Sequence, residues 1–312
     1  MATVEILLIE QGKAHLPELI GYKEFLTNKG FSVVVVNKFD LMKLEKSFIK
    51  DKVLWYFMGF YPFKVAAKLI IHDYRSLSTG FLPRFKDFLK KNFNHKPDIR
   101  VFLNQKVEEM LGFKDDVPKV YLDMGLPNYI KTYSAISFDK LEYDFIYVGA
   151  VCKERMLHLA LDSFVKKYGK TKRFLLVGAY ENDIREMFSS FENIIFAGKV
   201  PQEQVFKLVK LSKYAVCVLP DVYPYRFQTP TKLLEYMALG CRILSTRTES
   251  IMEMLYKTGN LDKVCFFDPK QDFPSEEDLG CVRPASLVID DYLWDKLLER
   301  SGIVDLILQH IS

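Results

Sequence analysis

Short apolar runs rich in β-branched residues alternate along the chain with longer amphipathic stretches. Such runs predict buried strands, and the amphipathic stretches predict the helices that connect them. In the first half, this pattern predicts helices such as 18–29 and 83–92, and six strands at 4–9, 31–36, 53–58, 69–72, 99–103 and 119–121.

The same alternation is clearer in the second half. It predicts strands at 144–148, 173–177, 193–196, 215–219, 242–245 and 264–267, and helices at 154–168, 182–190, 202–211, 230–239 and 250–257. A polar, irregular stretch separates the halves and predicts a domain boundary near Asp139. The last segment, 290–311, is predicted to be a long helix or a helix pair.

Two successive series of βα units predict an α/β protein with two Rossmann-like domains. We predict domains at 1–138 and 139–290, followed by a helical segment at 291–312. Ligands bind such sheets at the carboxyl ends of the strands, where helix N-termini attract phosphate groups. Two such domains facing each other would form a cleft.

The apolar window 53–71 is too interrupted to span a membrane, since Pro62, Lys64 and Lys68 fall within it. It is predicted as a strand, a turn, a short helical crossover and a second strand. The N-terminus lacks a basic region and a small-residue cleavage site, so we do not predict a signal peptide. We therefore expect a cytoplasmic protein.

The five cysteines of the 312 residues form no C-x-x-C pair, which argues against a disulfide framework or a zinc site. Charge is uneven: residues 1–140 hold 22 Lys and Arg against 16 Asp and Glu, and the remainder holds 22 against 24. A basic first half favours an anionic partner such as a membrane surface, a lipid phosphate or nucleic acid. The alternative is an ordinary solvated surface.

The strongest local signal is Thr-Pro-Thr-Lys-Leu-Leu-Glu-Tyr-Met-Ala-Leu-Gly, which runs from Thr229 to Gly240. Thr229 is a good N-cap, Pro230 suits the first helical position, and Gly240 suits the end of the helix. The helix N-terminus and Lys232 would attract a diphosphate, and Glu235 could accept hydrogen bonds from ribose hydroxyls. The alternative is an ordinary, well-capped helix with a surface Lys–Glu pair.

This block resembles the donor-site helix of group 1 glycosyltransferases, which have the GT-B fold of two Rossmann-like domains facing across a cleft. Three further segments resemble the family in order and spacing: Tyr147-Val148-Gly149 followed by Arg155, Gly198-Lys199-Val200-Pro201, and Tyr292-Leu293-Trp294-Asp295-Lys296. The first is similar to spore-coat-maturation-like members. The last is similar to the closing helix, which in this fold crosses back to the first domain. The resemblance covers residues 143–311.

The resemblance implies a role for each matching residue. Glu235 would bind the ribose, Thr231 and Lys232 the diphosphate, and Lys199 and Val200 the base through their backbones. Arg155 and Lys153 would be further phosphate cations, and Arg226 would reach the sugar or the phosphates. The candidate donor-binding residues are Arg155, Lys153, Lys199, Val200, Arg226, Thr229, Thr231, Lys232 and Glu235.

The chain departs from the family at Phe227, eight positions before Glu235, where many retaining members carry an acid. This leaves the identity of the sugar, and retention or inversion of configuration, open. The first half has no Asp-x-Asp motif, as fits a metal-independent GT-B enzyme. Asp73, at a predicted strand end, and His15, in a loop, are the candidate catalytic bases for an inverting reaction. The alternative for Asp73 is a helix cap or a partner of Arg75.

The segment 83–100 carries six basic residues. Four apolar residues within it or just before it recur at helical spacing: Phe81, Phe85, Phe88 and Leu89. We expect the aromatic stripe to pack on the domain core. The alternative is a membrane-surface patch, which the charges favour.

Together these features predict a hexosyltransferase that needs no metal or other cofactor. It would move a sugar from a nucleotide-sugar donor, UDP- or GDP-linked, to a lipid-linked or polysaccharide acceptor at the cytoplasmic membrane face. The basic domain would contact the membrane peripherally. The alternatives are a UDP-sugar epimerase and a catalytically silent GT-B partner subunit. A nucleic-acid-binding protein is not favoured, because no recognition motif with interleaved aromatic residues is present.

Overall fold

The computed structural model describes residues 4–12, 16, 18–138 and 140–311. Within it the chain divides into two compact units. Unit 1 comprises Met1–Pro127 and Asp290–Ser312, and unit 2 comprises Asn128–Ile289. The predicted boundary, Asp139, lies outside the described residues, and unit 2 begins before it, at Asn128.

Unit 1 is built on a parallel six-stranded sheet with the order β2-β1-β3-β4-β5-β6. Its strands are β1 Glu5–Glu10, β2 Ser32–Asn37, β3 Val53–Phe57, β4 Leu69–Tyr74, β5 Ile99–Phe102 and β6 Lys119–Tyr121. The helices of its N-terminal part are α1 Glu18–Asn28, α2 Lys38–Leu41, α3 Lys46–Ile49, α4 Pro83–Phe93 and α5 Gln105–Leu111. All residues of β3 and β4 are buried, as expected for central parallel strands covered on both faces.

Unit 2 repeats this architecture with the order β12-β11-β10-β7-β8-β9, again with all pairs parallel. The strands are β7 Tyr143–Val148, β8 Phe174–Val177, β9 Ile194–Gly198, β10 Ser212–Cys217, β11 Arg242–Ser245 and β12 Cys265–Phe266. The helices are α6 Ile130–Ser134, α7 Leu157–Tyr168, α8 Asn182–Met187, α9 Gln202–Lys210, α10 Thr231–Ala238, α11 Glu249–Lys257 and α12 Glu276–Gly280.

The C-terminal segment of unit 1 is a helix pair, α13 Trp294–Ser301 and α14 Ile303–Ile311. Gly302 separates the two helices with a φ of +68°, a conformation that glycine adopts without strain. Trp294 lies against two glycines: a Cβ at Gly21 would approach its side chain to 2.5 Å, and one at Gly125 to 2.6 Å. The backbone of Leu126 also bonds to Tyr292 and Trp294, at 2.7 and 3.1 Å.

Two predicted elements differ from the structure. No helix forms between β3 and β4, where residues 58–68 form an irregular connection that contains Pro62. The helix predicted from residue 154 is a single 3-10 turn, Lys153–Arg155, followed by α7. Met156 separates them with a φ of +58°, outside the helical region. Among the described residues, no helix is both long and apolar enough to cross a bilayer.

Candidate donor site in unit 2

The strand order of unit 2 reverses between β7 and β10, which lie side by side at the centre of the sheet. Strands β8 and β9 continue from β7 on one side, and β11 and β12 continue from β10 on the other. Open α/β sheets bind ligands outside the carboxyl ends of the strands at such a switch point. The loops that lead from β7 to α7 and from β10 to α10 begin at this edge.

Helix α10 begins one residue later than predicted. Its first helical residue is Thr231, and Pro230, at the N-cap position, makes no side-chain cap hydrogen bond. Thr229 is therefore not the N-cap, because it precedes the N-cap position by one residue. The helix ends as predicted at Gly240, whose φ of +69° stops the helical backbone. The N-cap residue itself therefore occupies none of the N–H groups of the first turn.

Lys232 and Glu235 form an ion pair in the first turns of α10. The Lys232 Nζ lies 2.9 and 2.7 Å from the two carboxylate oxygens of Glu235. Glu235 is buried, whereas about a third of the Lys232 side chain is exposed. The Gln202 side chain also donates a hydrogen bond to Glu235 at 3.2 Å.

Gln202 links this pair to the segment predicted to hold the base. It is the first residue of α9 and follows directly on Lys199, Val200 and Pro201. Tyr129 fixes its amide, since the Tyr129 hydroxyl donates to the Gln202 oxygen at 2.8 Å. The β9–α9 loop and the start of α10 are therefore held together by side-chain hydrogen bonds.

Arg155 lies in the β7–α7 loop beside two tyrosines. A Cβ at Gly149 would approach the Tyr147 hydroxyl to 2.8 Å and Arg155 to 3.2 Å, so these groups surround a glycine. The Arg155 guanidinium also lies over the Tyr225 ring, 5.5 Å from its centroid. Burial raises the pKa of Tyr147 to about 12, so its hydroxyl stays neutral beside the guanidinium.

The other two predicted cations are paired with carboxylates. Arg226 lies 3.2 Å from Asp221 and 3.8 Å from Glu249. Lys153 forms an ion pair with Asp183, and both side chains are about half exposed. Exposed pairs of this kind contribute little to stability, so a bound phosphate could replace the carboxylates at small cost.

Two hydrogen bonds that the sequence did not indicate connect α10 and the loop before it to β7 and the loop after it. The Tyr236 hydroxyl accepts a hydrogen bond from the N–H of Val148 at 3.0 Å, which joins α10 to the end of β7. The Tyr225 hydroxyl donates to Glu154 at 2.9 Å, which joins the β10–α10 loop to the β7–α7 loop. These pairs are far apart in sequence, and no local pattern indicates them.

Asp73 lies at the core of unit 1, with no exposed surface. Its carboxylate accepts hydrogen bonds from Trp55 at 3.1 Å and from Tyr22 at 3.2 Å, and Arg75 lies 4.0 Å away. A general base must reach the hydroxyl that it deprotonates. A carboxylate buried in this way cannot reach an acceptor hydroxyl, so the structure does not support the predicted catalytic role of Asp73. It favours the alternative, in which Asp73 is a partner of Arg75. The other candidate base, His15, lies outside the described residues.

Burial raises the pKa of the Asp73 carboxyl from 3.8 to about 7. Between about pH 4 and about pH 7 the folded chain keeps this proton and the unfolded chain loses it, so the contribution of Asp73 to stability falls as pH rises. Relative to the Asp73→Asn variant, we expect the free energy of unfolding of the wild type to fall by roughly 1.4 kcal/mol per pH unit in this window. Urea denaturation of both proteins across this pH range measures the difference between their free energies of unfolding. A difference that does not change with pH would contradict the raised pKa of Asp73.

Residues 142–273 match the family model described as Glycosyl transferases group 1. This segment of unit 2 is a group 1 glycosyltransferase domain. The match confirms the predicted family and enzyme class, and it contains all the candidate donor-binding residues. No curated protein matches the chain.

The chain as a whole resembles solved glycosyltransferases that have the GT-B fold. AviGT4, involved in avilamycin A biosynthesis, has a TM-score of 0.61 at 12% identity and covers 98% of this chain and 97% of its own. HepE from Anabaena, solved with UDP and glucose, has a TM-score of 0.65 at 8% identity, with 98% and 100% covered. WaaG, involved in lipopolysaccharide biosynthesis, has a TM-score of 0.61 at 10% identity, and the match covers 98% of this chain and 99% of WaaG. These likenesses and the two parallel sheets confirm the GT-B fold.

Proposed function

We propose that the chain transfers a hexose-type sugar from a UDP- or GDP-linked donor to a lipid-linked or polysaccharide acceptor at the cytoplasmic membrane face. The observation that carries this proposal is the position of the Lys232–Glu235 pair. It lies in the first turns of a helix whose N-cap residue, Pro230, makes no side-chain cap, and that helix follows a switch-point strand. This arrangement is suited to a diphosphate and the ribose attached to it.

Lys232 and Glu235 would change partners when the donor binds. The diphosphate would attract Lys232 and the N–H groups of α10, because all of them carry positive charge or partial charge. Glu235 would then be free to accept hydrogen bonds from the ribose hydroxyls. In the absence of a donor, the two side chains neutralise each other, which explains how a buried carboxylate is tolerated at this position.

The leaving diphosphate would be stabilised by Lys232, Arg155 and the helix N-terminus. Charge that develops on the leaving group is stabilised best by donors that are already oriented before the reaction. Tyr225 and Tyr147 orient Arg155 in this way. With these cations in place we propose a reaction that needs no metal ion.

The nucleotide base would lie against the backbone of Lys199 and Val200, next to Gln202. We propose uridine as the first base to test, because HepE, which shares the fold, was solved with UDP. Arg226 would contact the sugar or the phosphates after leaving Asp221 and Glu249. At the position of Phe227, no carboxylate is available to bind the sugar hydroxyls.

A thermal-shift panel of UDP, GDP, ADP and their common sugar conjugates tests this proposal. We expect one nucleotide family to raise the melting temperature of the wild type. At about 100 times its Kd, such a ligand stabilises the folded state by roughly 2.7 kcal/mol. The Lys232→Ala variant should lose most of this shift, because its diphosphate contact is gone.

The matched control is Lys207→Ala, which removes an exposed lysine from α9, in the same domain. It should show the same nucleotide shift as the wild type. If no nucleotide shifts the wild type, the proposed donor site is not functional and a catalytically silent partner subunit becomes the better interpretation. If both variants shift like the wild type, the nucleotide binds elsewhere.

A further inference from the structure

Helix α4 of unit 1 turns a polar side chain to the interior and its apolar side chains to the surface. Its buried residue is Asp87, whose carboxylate accepts hydrogen bonds from the Ser78 N–H at 3.1 and 3.0 Å. Lys90 lies 3.3 Å from the same carboxylate. A helix on the surface of a globular domain normally turns its apolar side chains to the core. In α4 the acid occupies the inner face instead.

The phenylalanines of this segment are exposed, contrary to the packed stripe expected from the sequence. The exposed fraction is 83% for Phe81, 54% for Phe85 and 55% for Phe88. The rings of Phe85 and Phe88 are stacked on each other, with centroids 6.4 Å apart. Because Asp87 binds the Ser78 backbone, the helix cannot rotate to bury these rings without leaving a buried N–H unpaired.

The loop after β3 is bonded to the end of α4 and carries further exposed phenylalanines. The side chain of Asn94, directly after α4, accepts from the Tyr61 N–H at 2.8 Å and donates to the Gly59 carbonyl at 3.1 Å. Phe60 lies in the loop so held, and Phe63 follows it with 84% of its side chain exposed. Loop and helix together form what we call the phenylalanine patch, consisting of Phe60, Phe63, Phe81, Phe85, Phe88 and Phe93.

The segment that carries the phenylalanine patch is rich in positive charge. The segment 59–96 contains eight Lys and Arg residues and only two acids, Asp73 and Asp87. Both acids are buried, whereas Lys64, Lys68, Arg84, Lys86 and Lys96 are exposed. No exposed acidic side chain therefore interrupts the patch along this segment. Exposed aromatic rings with a basic rim match the two properties of a bilayer surface that contains anionic lipids.

We propose that unit 1 docks on an anionic lipid bilayer through the phenylalanine patch, with α4 lying in the plane of the interface. The rings would enter the boundary between headgroups and acyl chains, and the lysines would contact lipid phosphates. A second copy of the chain fits the surface less well, because a two-fold interface would place the cationic rims against each other. Docking on a bilayer adds a lipid partner of unit 1 to the proposed function. It rests on that function only for the nature of the acceptor.

Vesicle co-sedimentation of the full chain tests this inference. We expect the wild type to bind vesicles of phosphatidylcholine with about one third phosphatidylglycerol, and to bind pure phosphatidylcholine much more weakly. The double variant Phe85→Ser/Phe88→Ser should lose roughly tenfold or more of its partition coefficient. Lys86→Glu should lose about fivefold or more, since each lysine near an anionic surface contributes about that factor.

Two controls in unit 2 match these changes. Tyr256→Ser removes an aromatic side chain that is 80% exposed, and Lys257→Glu reverses an exposed lysine. Both should sediment like the wild type. The proposal is overturned if the wild type does not bind the anionic vesicles or if variants and controls bind equally. It is also overturned if sedimentation-equilibrium centrifugation shows a dimer that the double variant abolishes. Because sedimentation requires no donor, a failure here is distinguishable from a failure of the proposed function.

Discussion

Replacing Glu235 with alanine is expected to raise the Kd for the nucleotide by about 10- to 100-fold, because hydrogen bonds to a charged group contribute roughly 1.5–3 kcal/mol. Glu235 is buried and already accepts hydrogen bonds from Lys232 and Gln202, so its carboxylate is held in place before the donor arrives. Glu235→Gln should lose less affinity, since the amide oxygen can still accept one ribose hydrogen bond.

Isothermal titration calorimetry with the nucleotide that binds the wild type measures this effect. Glu277→Ala, which removes an exposed carboxylate from α12 of the same domain, is the matched control and should keep the wild-type Kd. Circular dichroism must show that the Glu235 variants remain folded, because Lys232 loses its partner in them. A wild-type Kd in folded Glu235→Ala would refute the assignment to the ribose. Turnover of the donor with unchanged rate in that variant would refute the proposed site as a whole.

Replacing Trp294 with alanine is expected to destabilise unit 1 by about 3–5 kcal/mol, the usual loss for truncating a large buried aromatic residue. Trp294 is almost completely buried. Its ring meets Tyr22 edge-on at 5.6 Å and lies 5.6 Å from the Arg75 guanidinium. Truncation would remove these contacts and leave a cavity between Gly21 and Gly125, which approach the ring too closely to carry side chains.

Urea denaturation followed by hydrogen exchange of α1 and α13 measures the loss and locates it. Phe39→Ala is the control, because it removes an exposed aromatic side chain from the same unit and should change stability by less than about 0.5 kcal/mol. Gly21→Leu should mimic the tryptophan variant, since its side chain would displace the Trp294 ring. A loss below about 1 kcal/mol in Trp294→Ala would show that the C-terminal helices are not held by this residue.

Local sequence patterns predicted most of the strands and the helix of the donor site. The predicted bounds 119–121 and 242–245 match β6 and β11 at both ends. Each run contains residues that favour strands, Val120 and Tyr121 in β6 and Ile243 in β11. The end of α10 was predicted for a similar reason, since only glycine adopts the conformation of Gly240 without strain. Its start was not, because Thr229 and Pro230 permit a helix to begin at either of two neighbouring positions.

Burial of charged groups was decided by tertiary contacts. The position of Asp73 at a strand end is compatible both with an exposed base and with a core carboxylate. Trp55 and Tyr22 donate to it from other elements of unit 1, 18 and 51 residues away along the chain. Such long-range hydrogen bonds leave no periodic signal in the sequence, because each partner is individually an ordinary core residue.

The orientation of α4 was likewise decided by tertiary contacts and not by the local sequence pattern. Phenylalanines at positions 81, 85 and 88 determine that one face of the helix is apolar, since they recur at helical spacing. Whether that face is inside or outside depends on what the opposite face can bind. Asp87 pairs with the Ser78 N–H and Lys90, which fixes the acid inside and the phenylalanines outside. Periodicity defines the faces of a helix, but only the packed structure decides which of them the protein buries, because burial depends on satisfying every polar group on that side.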